Sequence, residues 1–211
     1  MRSAIMTFSL FPLLAALTAI LVTTPLFADS LDGRLGITGR TGAFIPLKND
    51  FINGTNESRT SLAAGGGLIL GFCKNWAVEM DALHAFSMDI ETSGTKVFES
   101  TLTDVSLGLQ YRFASGNRLV PFLGAGADFL KGTLKSVTGN GYDLDWTEGG
   151  HLNAGVDWFL DDGIALTAEI RGMMAAKGDI KNAGGKVGDY YPRSLAATFG
   201  LRLVLPKSSY W

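Results

Sequence analysis

The feature that most constrains this chain is alternation. In eight separate stretches every second residue is apolar or small, and that side never carries Asp, Glu, Lys or Arg. The first sets Leu35, Ile37, Gly39, Thr41, Ala43 and Ile45 against Arg34, Gly36, Thr38, Arg40 and Gly42. The same period returns at 62–72, 76–86, 105–113, 121–129, 152–160, 164–174 and 195–205. A period of two is that of a β-strand whose two faces meet different surroundings. The face opposite the uncharged one holds Arg34, Arg40, Arg112, Arg171 and Arg202 together with Glu79, Asp81, Asp104, Asp128, Asp157 and Glu169. Each stretch is roughly ten residues, the length a tilted strand needs to cross the hydrocarbon layer. An even number of antiparallel strands closes on itself and leaves no backbone group unpaired in lipid. The expectation is an all-β fold: an eight-stranded antiparallel up-and-down transmembrane β-barrel, with its uncharged faces in lipid and its charged faces sharing the interior.

The connections fit that plan. Leu47–Thr60, Ser87–Thr103, Gly132–Gly150 and Ala176–Arg193 are long and polar, whereas Lys74–Asn75, Ala114–Arg118 and Asp161–Gly163 are short. Four long extracellular loops and three short periplasmic turns follow from this reading. Phe72, Trp76, Tyr111, Phe113, Trp158 and Phe159 gather beside the short turns, where aromatic rings favour the headgroup level. A soluble barrel of the lipocalin kind alternates too, but its outer face needs many Lys and Glu. Here the polar side is mainly Gly, Ser, Thr and Asn and has no lysine at all.

Composition supports export to a membrane. The chain has 211 residues, 46% hydrophobic and 18% charged, with a net charge of −2, so it lacks the basic face that nucleic-acid binding requires. From Ser3 to Ala28 no residue is charged, and the run ends in Pro25-Leu26-Phe27-Ala28 before Asp29. This is the pattern of a signal peptide over residues 1–28, which leaves a barrel domain over 29–211. The single cysteine, Cys73, excludes an intramolecular disulfide, and two histidines, His84 and His151, make a histidine metal site improbable.

Several strands resemble those of the outer-membrane protein W family. They are Asn75-Trp76-Ala77-Val78-Glu79, Leu107-Gly108-Leu109-Gln110-Tyr111-Arg112-Phe113, Pro121-Phe122-Leu123-Gly124-Ala125-Gly126 and Ala154-Gly155-Val156-Asp157-Trp158. The resemblance runs over most of the chain after residue 28. It implies a Gram-negative outer-membrane barrel that passes small, often hydrophobic, solutes. One departure is the end of the chain. Family members finish on the aromatic residue of the last strand, whereas here Pro206 and Lys207-Ser208-Ser209-Tyr210-Trp211 follow it.

The interior charges are the first candidate site. An eight-stranded barrel is just wide enough for its own side chains, so a salt-bridged plug is expected rather than an open pore. Neighbouring strands suggest pairing Arg171 with Asp157 and Arg202 with Glu169. His84, with Ser87 and Asp89 behind it, invites comparison with lipid-modifying enzymes, but strict alternation places Ser87 and His84 on opposite faces. The acidic run Asp143, Asp145 and Glu148 lacks the spacing of a calcium loop. Gly65-Gly66-Gly67 lies in a strand with no helix behind it, so it is not a phosphate loop. No enzymatic activity and no cofactor is expected. The expected partners are outer-membrane lipids and small hydrophobic solutes, and the expected state is a monomer. The alternative is a closed structural or adhesin-like barrel that presents its loops to a partner.

Overall fold

The computed structural model describes residues 31–47, 56–113, 118–139, 141–182, 184–190 and 193–206. The proposed signal peptide, the turn at 114–117 and the tail after Pro206 lie outside them. The strands are β1 (Leu35–Pro46), β2 (Asn56–Ser58), β3 (Ser61–Cys73), β4 (Trp76–Thr92), β5 (Thr95–Arg112), β6 (Leu119–Ser136), β7 (Gly141–Phe159), β8 (Ile164–Ala175), β9 (Gly178–Asn182), β10 (Gly185–Tyr190) and β11 (Arg193–Val204). Eight of them close a ring in the order β1-β3-β4-β5-β6-β7-β8-β11, and every pairing is antiparallel.

The register fixes how the ring is sheared. Stepping across paired residues from Gly149 leads through Asp128, Ser106, Asp81, Gly67, Thr38, Arg202 and Ala165, and returns to β7 at Phe159, a stagger of 159 − 149 = 10 residues. With roughly 3.3 Å per residue and roughly 4.8 Å between strands, that stagger slopes the strands by about 40°. Residues at one height in the interior are therefore not those directly paired, but diagonal neighbours.

Faces divide as the alternation requires. Leu62, Leu152, Ile170 and Phe199 point outward with more than half of their surface free, whereas Arg40, Glu79, Asp157 and Arg202 are buried inside. The interior is layered. At the short-turn end Leu31, Ile69, Ala77, Val120, Phe159, Ala165 and Val204 form an apolar cluster. Phe159 thus faces inward and does not join the outer aromatics. The charged band lies next, and above it Phe44, Ala63, Leu83, Ala85, Met88, Leu102, Leu130, Met173 and Ala196 form an apolar ring.

Three of the four long connections, those after β4, β6 and β8, are not loops over most of their described length. β4 and β5 continue to a tight turn at Ser93 and Gly94, both with positive φ (52° and 79°), and β6 and β7 run on to Ser136 and from Gly141. The segment between β8 and β11 folds into the β9–β10 hairpin, which pairs with β7 at Asp143 and Leu144. Ile90, Leu134, Leu144, Ile180 and Tyr190 bury their side chains together at this end, with Val97, Phe98 and Tyr142 against them. The wall is consequently uneven: β4 to β7 have 17 to 19 residues each, whereas β1, β8 and β11 have 12.

Candidate functional site

The charged band is built where inward positions of seven of the eight barrel strands, all but the glycine-rich β3, bring long polar side chains to the axis. Arg40 of β1 bridges Glu79 at 2.9 Å, Asp81 at 3.2 Å and Glu169 at 2.9 Å. Arg202 of β11 holds Glu79 at 2.9 Å, pairs with Asp157, and donates from Nε to the Thr38 hydroxyl at 2.9 Å. Arg112 of β5 donates to the same Asp157 oxygen, Oδ2, at 2.5 Å. The guanidinium carbons of Arg112 and Arg202 lie 5.6 and 5.9 Å from the centre of the Phe122 ring, which gives both cations a π face inside the barrel. Arg171 of β8 donates to Glu169 at 3.1 Å and to the Ser106 hydroxyl at 3.0 Å, and lies 3.4 Å from Asp81 and 3.7 Å from Asp104. Asp128 takes His151 Nδ1 at 2.5 Å.

Two pairings differ from those expected. Asp157 is held by Arg112 and Arg202, not by Arg171, and Glu169 is held by Arg171 and Arg40 rather than by Arg202. The shear explains the exchange. Arg202 is paired with Ala165 and Arg171 with Asn153, so Arg202 lies near the level of Asp157 at the short-turn end and Arg171 near Asp81. Arg34 is a second correction. It precedes β1 at the short-turn rim and donates to the carbonyls of Leu205 at 2.9 Å and Asp162 at 2.5 Å, outside the band. There it ties the ends of the first and last strands to the β7–β8 turn.

Sequence reasoning did not single out three further members. Gln110 donates to Glu79 at 2.6 Å and Asn153 to Glu169 at 2.9 Å. His151 sits on the same inward face, its ring laid across Gly126 and near Gly108. A Cβ at Gly126 would overlap the ring, and one at Gly108 would come within 3.2 Å of Nε2. Membership of the polar parity was the available signal for all three.

Of the outer aromatics, Phe72, Trp76, Tyr111, Phe113 and Trp158 are exposed on the outer face beside the short-turn end. Trp76, Tyr111 and Phe113 meet edge to face at 5.1 and 5.0 Å. His84 accepts or donates at Thr103 Oγ1, 2.8 Å away, and packs edge-on against Phe86. A bulge between Ala85 and Met88 leaves Phe86 and Ser87 both exposed, which breaks the expected alternation there. Ser87 engages Glu99, so no nucleophile–base contact forms. Asp145 bridges Lys181 at 2.5 Å, and among the described residues no three His, Cys, Asp or Glu side chains converge on a metal site.

Above the band the wall thins. A cavity of about 840 Å³ lies there against β7, β8 and β11, with the inward-facing His151, Met173 and Ser194 and the outward-facing Leu152, Met174 and Arg193 among its lining. Gly150 and Gly172 occupy the wall itself, so only backbone separates the two sides there. The cavity lies at the low rim, where β8 and β11 stop and β4 to β7 continue.

Comparison with known proteins agrees with this architecture. The family model described as outer membrane protein beta-barrel domain matches residues 14–202. No curated protein sequence matches the chain. Among solved structures, the outer membrane protein OprG from Pseudomonas aeruginosa is 16% identical, with a TM-score of 0.61, over 82% of this chain and 96% of that one. The outer membrane protein AlkL, determined in lipid bilayers, is 15% identical with a TM-score of 0.57, over 90% and 98%. Neisserial surface protein A is 13% identical with a TM-score of 0.55, over 82% and 97%. A closed eight-strand ring with uncharged outer faces, matched by that model over nearly its whole length, belongs to the outer membrane protein beta-barrel domain family and resides in the outer membrane.

Proposed function

We propose that this barrel gives small apolar solutes passive passage across the outer membrane, as a monomer, by a lateral route rather than along its axis. The long-connection end faces outward and the short turns face the periplasm. The axial path is closed by buried side chains. Arg112, Asp157 and Arg202 bridge the interior above an apolar cluster, and moving ions past them would break charge pairs in a low-dielectric setting. The observation that carries the reading is the cavity at the low rim, lined by the buried Met173 and by the exposed Leu152 and Met174. An apolar solute entering there reaches acyl chains without meeting the charged band. The resemblance to the W family points the same way.

Liposome uptake of an apolar fluorophore tests the proposal. A Cβ at Gly172 meets only Leu195 Cδ2 at 3.6 Å and a carbonyl at 4.0 Å, so Gly172→Phe has room to fill the opening without disturbing the band. The unmodified chain should speed uptake, and Gly172→Phe should abolish most of that gain while single-channel conductance stays near zero in both. Uptake unchanged by the substitution contradicts the lateral route. No uptake in either would favour the second reading, a closed barrel displaying its ribbons, which the buried cluster of Ile90, Leu134, Leu144 and Ile180 would hold rigid.

A further inference from the structure

The upper edge of the charged band is short of positive charge. Among the described residues, the buried interior cations are Arg40, Arg112, Arg171 and Arg202. The buried acids are Glu79, Asp81, Asp104, Asp128, Asp157 and Glu169, so 6 − 4 = 2 carboxylates are in excess. His151 Nδ1 rests on Asp128 Oδ1. The surplus is unevenly spread. Asp157 has two guanidinium partners and Glu79 is bridged by both Arg40 and Arg202. Asp104, only 2% exposed, has no protein donor to either oxygen, and its nearest cation is Arg171 at 3.7 Å. Asp128 Oδ2, Asp157 Oδ1 and both Asp81 oxygens also lack a donor, but Asp81 lies 3.2 Å from Arg40 and 3.4 Å from Arg171, closer to cations than Asp104.

Register places these acids together. Asp104 is paired with Leu130 and Ser106 with Asp128, so the two carboxyls are diagonal neighbours on β5 and β6. Neither carboxyl lines the wall cavity itself; Asp128 lies directly behind the lining residue His151, which it holds, and Asp104 is one diagonal step further in. Met173, paired with His151 across β7 and β8, supplies an apolar side to the same lining. A buried carboxylate oxygen without a donor is costly, and an incoming N–H satisfies it.

We infer that the cavity takes a small amphiphile bearing a protonated primary or secondary amine. Its ammonium donates to Asp104 and Asp128, and its hydrocarbon body lies along Met173 toward Leu152 and the acyl layer. This rests on the lateral-passage reading and names the solute class that the same opening selects. The carboxylates require N–H donors, so a quaternary ammonium or an alcohol of equal chain length is a poorer match.

The chain has two histidines, which makes their imidazole resonances a local probe. The full barrel, folded in detergent micelles and checked by its heat-dependent gel shift, is titrated at pH 7 with hexylamine, 1-hexanol and hexyltrimethylammonium. Hexylamine should shift the His151 resonances saturably with a dissociation constant about tenfold below those of the other two, while His84 stays unmoved. Asp104→Asn and Asp128→Asn should each remove that preference. Equal affinity for amine and alcohol overturns the inference and leaves the passage reading standing. A preference retained in both variants also overturns it. If none of the three probes moves His151, the cavity is not a solute path and both readings fall. Should a variant not fold, the comparison of probes on the unmodified chain still decides.

Discussion

Asp157 shows how closely the interior is balanced at the scale of single residues. It is wholly buried, and its Oδ2 accepts from both Arg112 and Arg202. Removing one partner of a buried ion pair leaves an uncompensated charge and costs about 3–5 kcal/mol. Asp157→Ala should therefore lower the temperature at which the folded gel band converts to the unfolded one, and by more than Arg34→Ala, since Arg34 bonds carbonyls at a wet rim. Equal effects would contradict the difference drawn between band and rim. Which residues face inward was legible in the sequence, because parity alone sorts Arg40, Glu79, Asp157 and Arg202 to one side. Which of them touch was not. Partners depend on the stagger of the ring, and no local pattern around Arg171 or Arg202 encodes a ten-residue shear.

Among the elements, β4 and β5 extend past the barrel as a two-stranded ribbon held by surface charges. Lys96 bridges Asp89 at 2.6 Å and Glu99 at 3.0 Å. The Ser87 hydroxyl, and after it Lys96, holds the Glu99 carboxyl below the usual carboxylate range. A carboxyl depressed in the folded state adds stability above its ordinary value and loses it as the pH falls through its folded value. Acidification from about pH 6 to about pH 3 should accordingly lower the amide protection factors, taken against the intrinsic exchange rate at each pH, in the ribbon near Ser93 and Gly94 while those of the barrel strands hold. Uniform exchange across ribbon and barrel would contradict a separately held ribbon. The sequence reads the ribbon as loop because its alternation is interrupted. Bulges fall on β4 between Ala85 and Met88 and on β7 between Leu144 and Thr147, opposite Leu130 and Gly132, and beyond each the inward side of the bulged strand changes parity. Ile90, Leu134 and Leu144 then make the cluster that a reading for loops passes over.

For the whole molecule, the account reduces to which surface meets lipid. Outward-facing Leu152, Ile170, Met174 and Phe199 form an apolar belt that water would penalise, and the band inside would be equally out of place in acyl chains. Fold class and facing were legible because both follow from one period repeated eight times. The cavity was not, because it arises from strands of unequal length and from two glycines, Gly150 and Gly172, that carry no pattern of their own. The most direct test is a spin-label scan in bilayers on a Cys73→Ser background, with single labels at Ala168, Ile170, Phe199 and Leu201 outside and at Thr167 and Thr198 inside. The account predicts strong relaxation by lipid-soluble oxygen and almost none by a water-soluble nickel complex at the outer positions, with a drop in oxygen access at the two threonines. Relaxation of the outer labels by the nickel complex, at the level of a free loop, would contradict it.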